Sequence, residues 1–266
     1  MKGNFSVRIP PIDRGDQKSS FGMIADYFNQ MAEELSGIET LRTDFISNVS
    51  HELKTPLAVI QNYGTMLQQP GLQEEKRLEY AKAVTEASRR LADLITNILK
   101  LNKLENQQIY PSVATYDLGE QLCECLLSFE GAWEEKNLEI ETSVEEEVFV
   151  DTDGQLLSLV WNNLFSNAIK FTEDNGKITL SLTTEGENAV VRVSDTGCGI
   201  PPEVGQHIFE KFYQGDTSHA TQGNGLGLAL VKRVMDIVGG DISVSSQVGK
   251  GSTFTVKIRR KQNGEA

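Results

Sequence analysis

Two long runs of apolar residues, spaced alternately three and four positions apart, constrain the fold of this chain most strongly. The first run has apolar side chains at Phe21, Ile24, Phe28, Met31, Leu35 and Ile38, and Leu41, Phe45 and Val49 continue the apolar character beyond it. This heptad pattern is typical of a helix that packs against a partner helix. We expect one helix that reaches the region of His51, is kinked at Pro56 and ends at the turn-forming residues 69–71.

The second run predicts another long helix, from about Leu72 to Leu104. Its apolar side chains again alternate three and four positions apart, at Val84, Ala87, Leu91, Leu94, Ile98 and Leu101. Two such helices joined by a short turn form an antiparallel hairpin with an uncovered apolar stripe. Two hairpins would cover each other's stripes in a four-helix bundle, so we predict a homodimer through helices 41–106. The alternative is that the stripe packs only on the rest of its own chain.

After Asn106 the sequence changes to a mixture of short helices and strands. Helices are predicted at 118–136, 153–170 and 226–238, and one side of the first carries Leu118, Leu122, Leu126 and Leu127. Strands are predicted at 138–142, 148–150, 177–182, 189–194, 241–245 and 253–258, with an extended segment at 5–9. The whole chain is therefore α+β, with an α/β sandwich that has helices on one face of a sheet following the hairpin.

Size and charge limit the classes of protein to which this chain can belong. Its 266 residues suit two domains. A formal net charge of -13 argues against non-specific binding to nucleic acid or anionic lipid, whereas a phosphate site needs only local amides, a cation and Mg²⁺. No apolar run is long enough to cross a bilayer, so we expect a soluble chain. Neither the cysteines nor His207 and His219 have the spacing of metal ligands.

The first group of residues suited to chemistry surrounds His51, in the sequence Ser50-His-Glu-Leu-Lys-Thr-Pro56. His51 lies between the apolar positions Val49 and Leu53, so it can lie on the outward side of a bundle helix. A neutral imidazole nitrogen is a competent nucleophile for phosphorus, and the adjacent Glu52 can orient the ring and accept its proton. A helical histidine is more often an ordinary surface or core residue, so this motif alone does not establish a function.

A second group lies on one face of the helix predicted at 153–170. Asn163, Asn167 and Lys170 are spaced so that they share a helical face. Amide oxygens suit Mg²⁺ that bridges phosphates, and a lysine ammonium suits the phosphates themselves. The alternative is an ordinary polar face, but asparagine is unfavourable inside helices, so two on one face need a reason.

Two glycine-rich turns complete the set. Asp195 ends a predicted strand, where its carboxylate can accept a hydrogen bond from an adenine amino group, and Gly197 and Gly199 let the backbone turn close to the base. Such turns also occur without ligands. Further along, Gly223, Gly225 and Gly227 leave backbone amides free at a helix N-terminus, where the helix dipole favours anions. A dinucleotide-binding fold is the rival for this string, but no early strand–turn–helix unit opens the domain.

Together these motifs resemble those of sensor histidine kinases. The phospho-acceptor box, the asparagine box, the first glycine box, the phenylalanine box and the second glycine box of that family are matched at Ser50–Pro56, Trp161–Thr172, Ser194–Ile200, Ile208–Tyr213 and Gln222–Ala229. The resemblance covers about residues 21–258. It implies a dimerisation and phospho-acceptor hairpin followed by an ATP-binding catalytic domain of the Bergerat or GHKL type.

The resemblance also implies roles for single residues of the hairpin. His51 would be phosphorylated by ATP, with Glu52 assisting as a base. Thr55 would position water for dephosphorylating a partner, unless it is a plain helix residue before proline. The phosphoryl group would pass from His51 to an aspartate on the receiver domain of a separate response regulator.

In the catalytic domain the resemblance implies ATP and Mg²⁺ as cofactors. Asn167 would ligate Mg²⁺, Asn163 and Lys170 would contact the nucleotide, and Asp195 would recognise the adenine. The glycines that would approach the nucleotide are Gly197, Gly199, Gly223, Gly225 and Gly227. Cys198 occupies a variable place in its box, and the polar stretch 214–222 would form a mobile lid over ATP.

The resemblance divides the chain into a partial HAMP linker with a signalling helix (1–40), the hairpin (41–106), a hinge (107–117), the catalytic domain (118–260) and a tail (261–266). The first linker helix and membrane spans of such receptors are missing from the sequence, so we expect the cytoplasmic portion of a cell-membrane sensor. Two rivals are a clamp-type ATPase of the chaperone or topoisomerase class, which would lack the His51 motif, and a pseudokinase scaffold, which would have lost Asn167, Asp195 or the glycines.

Overall fold

The computed structural model describes residue 9 and residues 20–106, 111–213 and 224–261. The chain divides into two compact units, Met1–Leu91 and Ala92–Ala266. Helix α1 (Ser20–Leu67) and helix α2 (Glu74–Asn106) form the predicted hairpin, and both begin and end within two residues of their expected bounds. The segment predicted at 5–9 lies outside the described residues except for Ile9.

Helix α1 closes with tight backbone hydrogen bonds, from the Gln68 amide to the Thr65 carbonyl and from the Gln69 amide to the Met66 carbonyl, both 3.2 Å long. Pro70 has no amide proton, and Gly71 follows with a φ of 79°, a left-handed conformation that glycine adopts without strain. These residues end the helix where the sequence predicts. No helix among the described residues is both long and apolar enough to span a bilayer.

Pro56 lies inside helix α1, and the helix continues through it. Because proline has no amide proton, the carbonyl of Glu52 loses its helical partner at this point. Pro56 is buried, whereas its neighbours Thr55 and Leu57 are exposed. The kink expected at this proline stays a prediction.

The apolar seam of helix α1 is uncovered in the single chain. Exposed side chains along it are Ile24, Phe28, Met31 and Leu35, and those of Phe21, Ile38 and Leu41 lie outside the described set. On helix α2 the predicted stripe is partly covered, because Ala87, Leu94 and Leu101 are buried in the single chain and its other three members are half-buried. The apolar side chains that α2 does expose flank this stripe, at Leu78, Ile95 and Leu99.

The second unit contains a five-stranded sheet with the strand order β2-β4-β5-β7-β6. Its strands are β2 (Glu139–Val144), β4 (Lys177–Glu185), β5 (Asn188–Asp195), β6 (Asp241–Gln247) and β7 (Gly251–Arg259). Strand β2 pairs parallel with β4, and the other pairs are antiparallel. The strand predictions for this sheet are therefore confirmed, with bounds that shift by at most three residues.

The helices of this unit are α3 (Leu118–Leu127), α4 (Glu130–Glu135), α5 (Gly154–Phe171), α6 (Pro202–Gly205) and α7 (Gly227–Val238). Helix α5 packs against α3, α7 and strand β5. The fully buried Trp161 and Phe165 of α5 are central to the core. The α/β sandwich is thus confirmed, with α5 as the helix that faces both the sheet and its neighbouring helices.

The single helix predicted at 118–136 is instead two helices, α3 and α4. The break lies at Ser128, whose hydroxyl donates to the Cys125 carbonyl at 2.6 Å. The break directs Phe129 onto Phe165, with ring centroids 6.5 Å apart in an edge-on arrangement. Leu127, which was expected on the buried side, is 59% exposed because the helix ends there.

Part of the segment expected to be a hinge, 107–117, is ordered in the second unit. Strand β1 (Ala114–Asp117) pairs antiparallel with strand β3 (Phe149–Thr152). Asp117 also caps helix α3, accepting a hydrogen bond from the Gly119 amide at 2.7 Å. Residues 107–110 lie outside the described residues.

The last turns of α2 also belong to the second unit. The Arg233 guanidinium on α7 donates to the Leu104 carbonyl at 3.0 Å, and the Lys211 ammonium lies 2.6 Å from the Glu105 carboxylate. Leu101 and Leu104 are buried there. The boundary between the compact units therefore falls within helix α2, at residues 91 and 92.

Candidate functional site

His51 projects from the middle of helix α1 and is exposed. Its imidazole makes no hydrogen bond to any residue that the structure describes, and the Thr55 hydroxyl donates only to the His51 backbone carbonyl, at 3.4 Å. Glu52 and Leu53, which follow it, are half-buried. The imidazole is therefore open to a reactant from solution, which is what a phosphoryl acceptor requires.

The second group of candidate residues lies on helix α5, which is fixed at both ends. At its N-terminus one oxygen of Asp153 accepts from the amides of Gln155 and Leu156, at 2.9 and 3.1 Å. The other oxygen accepts from the Ser112 amide at 2.8 Å. With its apolar face buried, α5 presents a polar face that carries the half-buried Asn163, Asn167 and Lys170.

These three polar side chains differ in their contacts with neighbouring groups. The Asn163 amide nitrogen donates to the Leu159 carbonyl at 2.7 Å, which leaves its oxygen free to face a neighbour. The Asn167 amide makes no hydrogen bond to a described residue, so its oxygen is available to a ligand. The Lys170 ammonium lies 4.4 Å from the centroid of the Phe171 ring.

The second glycine-rich segment meets helix α5 at Asn163. A Cβ atom at Gly227 would lie 2.6 Å from the Asn163 side-chain oxygen, so only glycine allows this approach. Gly225 has a φ of 62°, and its carbonyl accepts from the Phe212 amide at 2.8 Å. The structure thus brings the asparagine face and part of this segment together, whereas Gly223 and the proposed lid at 214–222 lie outside the described residues.

The first glycine-rich turn meets the C-terminal end of helix α5. A Cβ atom at Gly197 would lie 2.3 Å from the Phe171 carbonyl oxygen. Gly199 has a φ of 72° and packs so closely on the backbone of Gln247 that a side chain there would collide with it. Asn163 therefore lies in the middle of helix α5 and the Asp195 turn lies at its C-terminal end, with Asn167 and Lys170 on the part of the helix between them.

Asp195 is held in a defined orientation at the end of strand β5. One carboxylate oxygen accepts from the Gly197 amide at 2.9 Å and from the Ser252 amide at 3.3 Å. Burial raises the pKa of Asp195, and the hydrogen bonds from these two amides oppose the shift. The second oxygen makes no hydrogen bond to a described residue, so it can accept one from a ligand.

Sequence reasoning missed the residues that support Asp195 from the neighbouring hairpin. The Ser246 hydroxyl accepts from the Ile200 amide at 2.8 Å and lies 2.9 Å from the Ser252 hydroxyl. Gly251 has a φ of 109°, and a Cβ atom there would lie 1.8 Å from the Asp195 carbonyl oxygen. The signal was the Gly249-Lys-Gly-Ser sequence between two predicted strands, which marks a close backbone approach.

Two family models match this chain. Residues 41–107, which include His51, match the His Kinase A (phospho-acceptor) domain. Residues 152–262, which include Asn167 and Asp195, match the histidine kinase-, DNA gyrase B- and HSP90-like ATPase. The chain belongs to the sensor histidine kinases.

Curated relatives of this histidine kinase chain are longer than the chain itself. The circadian input-output histidine kinase CikA of Synechococcus elongatus is 39% identical over 222 residues, which cover 81% of this chain and 29% of CikA. The sensor-like histidine kinase SenX3 of Mycobacterium tuberculosis is 34% identical over 223 residues, which cover 83% of this chain and 54% of SenX3. The chain therefore spans about half, or less, of the length of these relatives.

Solved structures of histidine kinases share the fold. The histidine kinase AdeS of Acinetobacter baumannii matches with a TM-score of 0.65 and 26% identity, covering 80% of this chain and 98% of AdeS. Full-length ShkA in complex with AMPPNP matches with a TM-score of 0.62 and 28% identity, covering 85% of this chain and 47% of ShkA. ThkA in complex with the response regulator protein TrrA matches with a TM-score of 0.71 and 21% identity, covering 90% of this chain and 68% of the ThkA chain. At this identity the likeness shows the fold alone.

Proposed function

We propose that this chain transfers the γ-phosphoryl group of ATP to His51 and then donates it to an aspartate of a response regulator. One observation carries the proposal: an exposed imidazole, with no hydrogen-bond partner among the described residues, lies in a phospho-acceptor domain, and the same chain contains an ATPase domain. A clamp-type ATPase has no use for the first feature. A pseudokinase scaffold has no need of the intact site around Asp195.

The nucleotide is proposed to bind along the polar face of α5. The free oxygen of Asp195 would accept from the adenine amino group, while Gly197 and Gly199 let the base approach the backbone. Asn163 and Lys170 would contact the nucleotide, and amides at Gly223, Gly225 and Gly227 would bind its phosphates. The ShkA structure in complex with AMPPNP supports the choice of an adenine nucleotide.

Mg²⁺ fits the proposed site through Asn167. Amide oxygens are among the hard ligands that Mg²⁺ accepts, and the Asn167 oxygen has no partner among the described residues. Among those residues no cluster of three or more His, Cys, Asp or Glu side chains could hold a metal ion. When bound together with ATP, Mg²⁺ would neutralise phosphate charge.

The transfer itself needs a neutral imidazole. A ring nitrogen of His51 forms a bond to the γ-phosphorus as the bond from that phosphorus to the bridging oxygen breaks, and ADP leaves with the electron pair. Glu52 is proposed to take the proton from the other ring nitrogen. Thr55, one helical turn from His51, is proposed to position water when the regulator is dephosphorylated.

We further propose the domain division given by the sequence, with 41–106 as dimerisation hairpin and 118–260 as catalytic domain. Dimerisation is supported by exposed apolar side chains on both helices of this hairpin, among them Leu57 on α1 and Leu99 on α2. As the heptad seam of α1 resembles a HAMP signalling helix, we propose that the chain acts as the cytoplasmic part of a membrane sensor.

Labelling with γ-³²P-ATP tests the proposed function. The chain should acquire label that is lost in acid and kept in alkali, as expected of a phosphoramidate. The His51→Gln variant should acquire none. His207→Gln is the matched control, because His207 is also exposed and lies outside the proposed site, with its ring nitrogen 2.7 Å from Glu210 and its ring centroid 5.3 Å from that of Tyr213. Label that persists in His51→Gln, or is lost in His207→Gln alone, would refute the assignment.

A further inference from the structure

Lys136, just after helix α4, binds the carboxyl end of helix α5. Its ammonium donates to the carbonyl oxygens of Ile169, Lys170 and Thr172, at 2.9, 3.1 and 2.8 Å. An ammonium has three donors, so this interaction uses all of them. The positive charge also lies at the negative end of the α5 dipole.

Most of the carbonyls at the end of α5 have a hydrogen-bond donor. The last carbonyls of a helix have no helical partner and must find another. The Ala168 carbonyl accepts from the amide and the hydroxyl of the buried Thr172, at 3.1 and 2.6 Å. Lys136 supplies the donors for three further carbonyls, and the Phe171 carbonyl faces Gly197. Lys136 therefore sets the shape of the surface on which the Asp195 turn packs.

Lys136 is itself fixed to the turn that follows α5. Its carbonyl accepts from the Asn175 amide at 2.9 Å, and the Asn137 side chain donates to the Asn175 side chain at 2.6 Å. The Glu139 amide then donates to the Gly176 carbonyl at 2.8 Å, where strand β2 begins to pair with β4. Both sides of the contact are thus rigid, so the ammonium is pre-positioned.

We propose that Lys136 is a positioning residue for the nucleotide site. It holds in place the last turns of α5, which carry Asn167 and Lys170 and against which Gly197 packs. Lys136 lies outside all of the motifs that resemble the family and does not itself contact the nucleotide in this account. The inference rests on the proposed function, because it assigns Lys136 to the same nucleotide site.

Loss of the Lys136 ammonium should lower the fraction of molecules in which the nucleotide site is ordered. Without it, three carbonyls lose a charged donor and the last turn of α5 frays in part of the molecules. If the nucleotide binds only molecules in which this turn is ordered, its apparent Kd equals its intrinsic Kd divided by the fraction of molecules that are ordered. Saturating nucleotide restores the ordered form, so the apparent KM for ATP rises while kcat changes little.

Calorimetry with Mg²⁺ and AMPPNP on the full chain measures this effect. We expect Lys136→Met to raise Kd by about tenfold or more. Lys257→Met is the matched control, because this lysine on β7 is half-exposed and pairs with Glu185 at 3.6 Å. We expect its Kd to stay within about twofold of the wild type, as for an exposed ion pair.

Hydrogen exchange separates positioning from general stability. In Lys136→Met the amides of 168–172 and 197 should exchange faster, those of β4 and β5 should not, and AMPPNP should reverse the difference. If Lys136→Met does not fold, Lys136→Arg replaces it, with an intermediate Kd expected because a planar guanidinium cannot reproduce three bonds from one point.

The outcomes distinguish the two proposals. A wild-type chain that binds no AMPPNP defeats the proposed function. A wild-type chain that binds, with a Lys136 variant of equal affinity or with faster exchange throughout the second unit, defeats the positioning role and leaves the proposed function intact.

Discussion

The hairpin and the ATPase domain differ in how exposed and how firmly held their candidate residues are. On the hairpin, His51 is exposed and its imidazole has no hydrogen-bond partner among the described residues. In the ATPase domain, Asp195 is half-buried and one of its oxygens accepts from two backbone amides. An acceptor must be reached by a donor and then by a separate partner protein, whereas a nucleotide site gains from groups that are already oriented before binding.

The same contrast extends to packing. Helices α1 and α2 expose large apolar side chains along their length, for example Phe28 on α1 and Leu78 on α2. The ATPase domain has a core of large side chains, including Trp161 and Phe165, that are less than 2% exposed. One region is therefore complete as a single chain, and the other has apolar surface that a second copy can cover.

Loss of the Asn167 amide from the ATPase domain should have the largest effect of the three changes considered. We expect Asn167→Ala to lower the labelling rate by about 100-fold or more, because a proposed metal ligand is lost from the preorganised region. His51 is unchanged in this variant. Ser166→Ala is the matched control on the same helix, since Ser166 is exposed and has no assigned role. Initial rates with labelled ATP check this, and equal rates for the two variants would contradict it.

The second prediction concerns the apolar surface of the hairpin. Ile95→Glu combined with Leu99→Glu should convert a dimer into a monomer, because burial of each such side chain is worth about 2 kcal/mol and a charge there opposes association. Thr96→Glu with Lys100→Glu places acidic residues at the same spacing on neighbouring exposed positions. Sedimentation should show dimers for this control. A dimer in both variants would place the interface elsewhere.

The smallest expected effect concerns the stability of the ATPase domain. Burial raises the pKa of Asp195, so its protonated form is favoured in the folded state. That contribution is complete below the pKa of the unfolded chain and is lost as the pH rises through the folded pKa. We therefore expect Asp195→Asn to unfold with a free energy about 1 kcal/mol higher than the wild type at pH 7, and to bind no ATP.

Denaturant titrations from pH 7 downward check this prediction. The advantage of Asp195→Asn should shrink as Asp195 becomes protonated in the wild type. An advantage that grows at low pH would show that the ionised carboxylate stabilises the fold.

Features with a local signal in the sequence were predicted well. The spacing of apolar residues gave both long helices, and the runs of β-branched residues gave the strands of the five-stranded sheet. Strand β1 was missed because none of its four residues is fully buried and they pair with β3, more than 30 residues later. The break at Ser128 was missed because the leucine pattern continues up to Leu127.

The residues of the candidate site also separate into those with a local signal in the sequence and those without one. His51, Asn163 and Asp195 lie in compact motifs, so their residue types and spacing were visible in the sequence. Lys136 and Ser252 act on groups 33 and 57 residues away, respectively. Only the fold brings them to α5 and to Asp195, so no pattern within one segment could have indicated them.

The central claim is that the exposed imidazole accepts phosphate from the nucleotide held by the second unit. Mass spectrometry of peptides, prepared at neutral to alkaline pH after incubation with Mg²⁺ and ATP, tests it most directly. We expect one phosphoryl group on the peptide that contains His51, with the modification on the imidazole. A chain that hydrolyses ATP but carries its phosphate on another residue, or on none, would contradict the account.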